Sequence, residues 1–124
     1  MTRYLKLNDI DCYRRAYNLS TYVWNVILQW EWFAKKTLGS QFVRAVDSIS
    51  ANIAEGFGRY HKKDKVKFYR VSFGSLMESL DWNQKAIARK LLTQEEYEHI
   101  LSELKQLQIE INQLIKFTNL RLKE

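Results

Sequence analysis

The sequence predicts an all-α fold, an antiparallel up-down four-helix bundle, on three observations. The chain has no proline and only four glycines in 124 residues, so few positions suit tight turns. Apolar residues recur at three- and four-residue steps through most of its length. Thr93 with Glu96 also matches the capping box that opens a helix. At 14.9 kDa the chain reads as a single domain over residues 1–124, long enough to bury roughly two thirds of its unfolded surface.

The first helix is predicted from about Asp11 to Trp32, because Tyr13, Ala16, Tyr17, Ser20, Val23, Trp24 and Ile27 follow helical spacing. The second starts near Ser40, a candidate N-cap after Gly39. It carries Phe42, Val46, Ile49, Ile53 and Phe57 on one side and ends between Gly56 and Arg59. Asp64 is a candidate cap for a third helix reaching about Leu91. The fourth opens at Thr93, and its row Tyr97, Ile100, Leu104, Leu107, Ile111, Leu114 and Thr118 has the average 3.5-residue period of bundle packing.

The third helix is the unusual one. Phe68, Val71, Ser75, Ser79 and Trp82 form one row, and Tyr69, Phe73, Leu76, Leu80 and Ile87 form another. One row satisfies a bundle core, so the second is expected to be an oligomer interface with further copies of the chain. The alternative is a third helix placed centrally in the monomer, against all three neighbours.

Nearly all of the net charge of +6 sits in one stretch, Arg59 to Arg70, which holds six of the twenty Lys and Arg residues against one Asp. That stretch carries +5, residues 1–58 carry +2 and residues 71–124 carry −1. Concentrated positive charge attracts polyanions. Arg59, Lys62, Lys63, Lys65, Lys67 and Arg70 are therefore the expected phosphate ligands, with Lys63, Lys67 and Arg70 on one helical face and Arg59, Lys62 and Lys65 in or beside the preceding turn. Tyr60 is the better of two tyrosines for stacking on unpaired bases, Tyr69 the better for packing. A solvated helix end is the plainer reading of the same charge run.

Other chemistries find little support. His61 and His99 have no second His or Cys at metal-ligand spacing, so no metal or cofactor is expected. Glu55, Glu78 and Asp81 lie near the distinctive segments. Glu78, between Ser75 and Ser79, fits a buried helix-helix hydrogen bond better than acid-base chemistry. Cys12 has no partner for an intramolecular disulfide and no identifiable activating base. The chain is expected to be non-enzymatic and cytoplasmic, with no secretory signal. The apolar run Tyr22 to Ala34 is broken by Asn25, Gln29 and Glu31, short of the roughly 20 residues that span a bilayer, and no membrane partner is expected. Gly56-Phe57-Gly58 closes a helix instead of following a strand, which argues against a phosphate loop and for close helix approach; Gly74 and Ser75 also suit close packing.

The segment DSISANIAEGFGR, Asp47 to Arg59, sets Arg44, Ser48, Asn52, Glu55 and Arg59 on one polar stripe, where a ladder of hydrogen bonds can form. Together with Arg44-Ala45, Ser48-Ile49, the NIAEGFGR block, the basic turn, Phe68 and Gly74-Ser75-Leu76 with Glu78, it resembles the four-helix-bundle family of proteins encoded in intervening sequences of bacterial 23S rRNA genes. The family commonly has proline where this chain has Ser50. That family includes the accessory variability determinant of diversity-generating retroelements, a basic pentameric barrel that binds a reverse transcriptase and nucleic acid. The resemblance implies a homopentamer, with the second row of the third helix as its interface. It also implies RNA or an RNA-DNA hybrid as partner, or alternatively a scaffold role as an accessory subunit docking a reverse transcriptase.

Overall fold

The structure, a computed structural model, describes residues 5–121. Four long helices carry the fold: α1 (Asp11–Leu28), α2 (Ser40–Gly58), α3 (Lys62–Ala88) and α4 (Gln94–Arg121), with a one-turn 3-10 helix, Leu7–Asp9, ahead of α1. The described residues form no strand. Each long helix packs against its sequence neighbour and α1 closes on α4, as in a helical bundle.

The interior is one apolar cluster drawn from all four helices. α1 contributes Cys12, Ala16, Leu19, Val23 and Ile27. α2 contributes Phe42, Val46, Ile49 and Ile53, as its spacing predicts, while Phe57 is half-buried. α4 buries Ile100, Leu104, Leu107, Ile111, Ile115 and Thr118, close to the predicted row. Arg15 spans the α1–α4 seam, bonding Glu103 at 3.0 Å and Glu110 at 3.1 Å. Burial alone would lower the Arg15 pKa, but the two carboxylates outweigh it and hold the guanidinium above its ordinary value.

Several boundaries differ from expectation. α1 stops at Leu28, and Trp30 folds back into the core beyond it. Ser40 is no N-cap. Helical backbone already runs through Trp32–Ala34 and a π-helical stretch, Lys35–Gly39, and Ser40 Oγ donates to the carbonyls of Lys36 and Thr37. The cap belongs to Glu31, whose carboxylate accepts from the amides of Phe33 at 3.0 Å and Ala34 at 2.8 Å, because those first amides lack intrahelical partners. His61, with extended backbone, occupies the N-cap of α3, leaving Asp64 inside the first turn. Thr93 and Glu96 do form the reciprocal capping box, at 3.0 Å and 2.9 Å.

α3 overturns the two-row reading. Its buried line is Tyr69, Ser72, Leu76, Ser79, Asn83 and Ala86, which runs between the two apolar rows and takes members from both. Ser72, Ser79 and Ala86 are small, so neighbouring backbones approach closely, and Ser72 Oγ donates to the Ile49 carbonyl at 2.7 Å. Tyr69 and Leu76 therefore lie in the core of the single chain, and Phe73, Leu80 and Ile87 pack against it. Tyr69 and Leu76 are thereby committed to the core, whereas Phe73, Leu80 and Ile87 remain half-buried at its edge. Nor does α3 sit centrally, since it packs chiefly on α2 and α4. Its outward apolar residues are Val71 and Met77, beside a Gly74 whose added Cβ would meet nothing within 4 Å, so Gly74 serves no close packing. Glu78 is exposed and accepts a 3.4 Å bond from Trp82 Nε1 instead of making a buried helix-helix contact.

Candidate nucleic-acid interface

Only Arg59, Tyr60 and His61 connect α2 to α3. The tightness of this turn depends on Gly56. A Cβ built there would fall 2.6 Å from Tyr69 Cε1 and 2.9 Å from the Lys65 carbonyl oxygen, so only glycine admits the start of α3 so close to the end of α2. The polar stripe on α2 forms in two pieces. Asn52 Nδ2 donates to the carbonyl and hydroxyl oxygens of Ser48, both at 2.8 Å, and Ser75 Oγ of α3 bonds that hydroxyl at 2.8 Å. Further along, Glu55 pairs with Arg59 at 2.8 Å.

The basic stretch is brought together, but its members divide into two groups. Lys62 and Lys65 belong to the first turn of α3, not to the connection before it. Lys65 Nζ donates to the Phe57 carbonyl at 2.7 Å and reaches that of Gly56 at 3.5 Å, and burial lowers its pKa. It is occupied as a cap on the last turn of α2. Arg59 is partly engaged by Glu55, with its guanidinium 4.6 Å from the Phe68 ring centre.

The remaining cations are better placed for a ligand. Lys63, Lys67 and Arg70 are exposed at i, i+4 and i+7 on the outward side of α3, and Lys62 is half-buried next to them. Tyr60 is 88% exposed, its ring edge-on to His61 at 5.0 Å. Tyr69 is 2% exposed and out of reach of any base, in keeping with packing.

No group of three or more His, Cys, Asp or Glu able to hold a metal ion exists among the described residues. Cys12 is buried, and burial, reinforced by Glu110, pushes its thiol up to about 12. Among the described residues no helix is long and apolar enough to cross a membrane.

A helical bundle of this size with a cationic turn between its second and third helices defines a class of small basic helical proteins. The sequence pattern of the 23S rRNA-intervening sequence protein family matches residues 8–113, and the chain belongs to that family. It is also similar to a solved structure from the S23 ribosomal protein family of Bacteroides thetaiotaomicron VPI-5482, described as of unknown function. The TM-score is 0.76 at 19% identity, covering 85% of this chain and 98% of that one. At that identity the likeness establishes the fold alone. No functionally curated protein matches the chain.

Proposed function

We propose that this chain is a non-enzymatic protein that binds RNA or an RNA-DNA hybrid through phosphates, at the connection between α2 and α3. The observation that carries this reading is the exposed row Lys63, Lys67 and Arg70 at helical spacing, with Tyr60, 88% exposed, two residues ahead of the helix that carries them. Lys62 and Lys63 stand in the first turn of α3, where the positive end of the helix dipole opposes them. A bound phosphate would compensate that unfavourable placement. Little base specificity is expected, because phosphate contacts position a protein without reading sequence.

The proposed assembly is an up-down antiparallel bundle repeated in a cyclic homo-oligomer, a pentamer by the resemblance, in the cytoplasm. Antiparallel order is supported by pairings that run in opposite directions. Ser48 meets Ser75 while Gly56 meets Tyr69, and Arg15 meets Glu110 while Tyr22 meets His99. A ring would repeat the patch and multiply its field. Val71 and Met77 on α3 and Ile109, Phe117 and Leu120 on α4 are among the outward apolar residues available for such contacts.

The test is fluorescence anisotropy of a labelled structured RNA, titrated in salt, with the wild type and a variant carrying Gln at Lys62, Lys63, Lys67 and Arg70. Lys65 is left intact because its role is structural. Each cation removed from a phosphate should flatten the log-log salt slope by about 0.7–0.9. Unchanged affinity in the variant would reject this site. If neither protein binds at low salt, RNA gives way to an acidic protein partner, of which a reverse transcriptase is the candidate.

A further inference from the structure

The outer side of α1 and the run leading into α2 form a second surface that the nucleic-acid reading does not use. Tyr17 and Trp24, which helical spacing assigns to the core side of α1, are more than half exposed; the core row passes beside them through Ala16, Leu19 and Val23. Trp24, 52% exposed, and Leu28 wall a groove of about 390 Å³ whose other side is Gly39 and Val43, with Lys35 and Arg44 in its lining. Gly39 brings the two walls together, since a Cβ there would fall 2.9 Å from Ile27 Cγ2. The π-helical stretch Lys35–Gly39 forms part of the wall, and π-helical turns recur at functional sites.

Charge complementarity indicates the occupant. No carboxylate lines the groove, and neither Lys35 nor Arg44 has an ion-pair partner among the described residues. Nearby, Trp32 and Phe33 are 69% and 65% exposed, and Lys36 Nζ stands 4.6 Å over the Trp32 ring. Trp and Arg are enriched among the anchors of protein interfaces. The groove is concave and mostly apolar, which fits side chains better than a lipid surface or a phosphate backbone. Arg44 also lies about 22 Å along α2 from Arg59, at 1.5 Å per residue, so this surface and the basic turn are separate.

We propose that the α1–α2 groove docks a short amphipathic helix of another protein, apolar on one face and acidic along its edges. Leu-type anchors at i, i+3 or i+4, and i+7 enter between Trp24 and Val43. Asp or Glu beside them pair with Lys35 and Arg44.

The experiment pans a displayed library of helical peptides on the full chain, then measures the recovered peptides by anisotropy against the wild type, Trp24→Ser and Arg44→Gln. Circular dichroism verifies that both variants fold. The expected result is enrichment of apolar anchors flanked by acids, with at least tenfold weaker binding to each variant and unchanged binding by the Lys62, Lys63, Lys67 and Arg70 variant. That last comparison separates this site from the proposed RNA site. Four results would overturn the proposal: no enrichment; peptides without acidic residues; equal affinity for both variants and the wild type; or loss of the chain's own oligomer in Trp24→Ser, which would assign the groove to a second copy. Trp24-dependent binding to phosphatidylserine-containing phosphatidylcholine vesicles without peptide recovery would assign it to a membrane surface instead.

Discussion

Lys65 of α3 donates its ammonium to the carbonyl oxygen of Phe57 at 2.7 Å, across the turn that joins α2 to α3. The last carbonyls of a helix have no intrahelical donor, and here a cation of the next helix supplies one. Charge counting groups Lys65 with the proposed phosphate contacts, whereas geometry makes it part of the scaffold that joins α2 to α3.

Lys65→Gln is accordingly expected to destabilise the fold by about 1.5–3 kcal/mol, the usual contribution of a hydrogen bond that involves a charged group. Urea denaturation measures this. The same substitution should change the salt slope of RNA binding less than Lys63→Gln does. If Lys65→Gln leaves stability untouched and abolishes RNA binding, the division of the basic stretch proposed above is wrong.

Gly56→Ala should destabilise by about 1–3 kcal/mol, the range for overpacking a filled interior. The new methyl meets the buried Tyr69 ring and the Lys65 backbone, neither of which is the free end of a flexible side chain. Gly58→Ala and Gly74→Ala, where an added Cβ meets nothing within 4 Å, are the matched controls. Being helical, they should be neutral or stabilising by up to about 1 kcal/mol. Thermal melts that rank all three alike would refute the close-approach role of Gly56.

Lys90 holds the only positive φ of a non-glycine residue among those described, 61°. It follows the end of α3, where Lys90 N donates to the Ile87 carbonyl at 3.0 Å and Leu91 N to that of Ala86 at 2.9 Å. This is the paired bonding that glycine ordinarily accommodates after a helix. Lys90→Gly should therefore stabilise by about 1 kcal/mol, the left-handed penalty removed, as read from the denaturation midpoint. A fall in stability would show that the lysine side chain contributes more than its backbone costs.

Cys12 ties stability to alkaline pH. Its thiol rises from 9.0 to about 12 on folding, chiefly through burial, so the stabilisation is complete below pH 9.0 and declines as pH climbs towards 12. The expected decline is at most about 1.4 kcal/mol per pH unit from this group. Tyr69, raised from 10.0 to about 12 by burial, adds to it only above pH 10.0. Cys12→Ala should remove the part of the decline that precedes the Tyr69 window. Alkylation by iodoacetamide at about pH 8 should proceed only as fast as the protein opens, because the thiolate is the reactive form. Rapid native-state labelling would contradict this burial.

Much of the scaffold is legible in the sequence. α4 follows its 3.5-residue row and its Thr93–Glu96 capping box, and α2 buries Phe42, Val46, Ile49 and Ile53 as their spacing requires. Periodicity is a property of local geometry, so it can be read without knowing what a helix packs against. The Glu31 cap escapes notice because a capping glutamate has no signal of its own ahead of an aromatic pair.

α3 misleads for a different reason. Hydrophobicity marks Phe73, Leu80 and Ile87 as strongly as Tyr69 and Leu76, yet the buried line passes through Ser72, Ser79 and Asn83, which count as polar. Small and hydrogen-bonded residues become interior when a neighbouring backbone supplies their partners, as Ile49 does for Ser72 and Tyr97 for Asn83. The candidate site divides in the same way. The clustering of cations between Arg59 and Arg70 is visible in the chain itself, because charge adds along a sequence wherever the residues end up.

The sequence by itself determined the helical class, most of the α2 and α4 core rows and the location of the charge. Tertiary structure decided which residues of α3 are inside, which lysine becomes a cap and which tryptophans are left in solvent. Those choices rest on distances between helices, and a carbonyl 2.7 Å from an ammonium or a ring 2.6 Å from an absent methyl exists only once the helices have met.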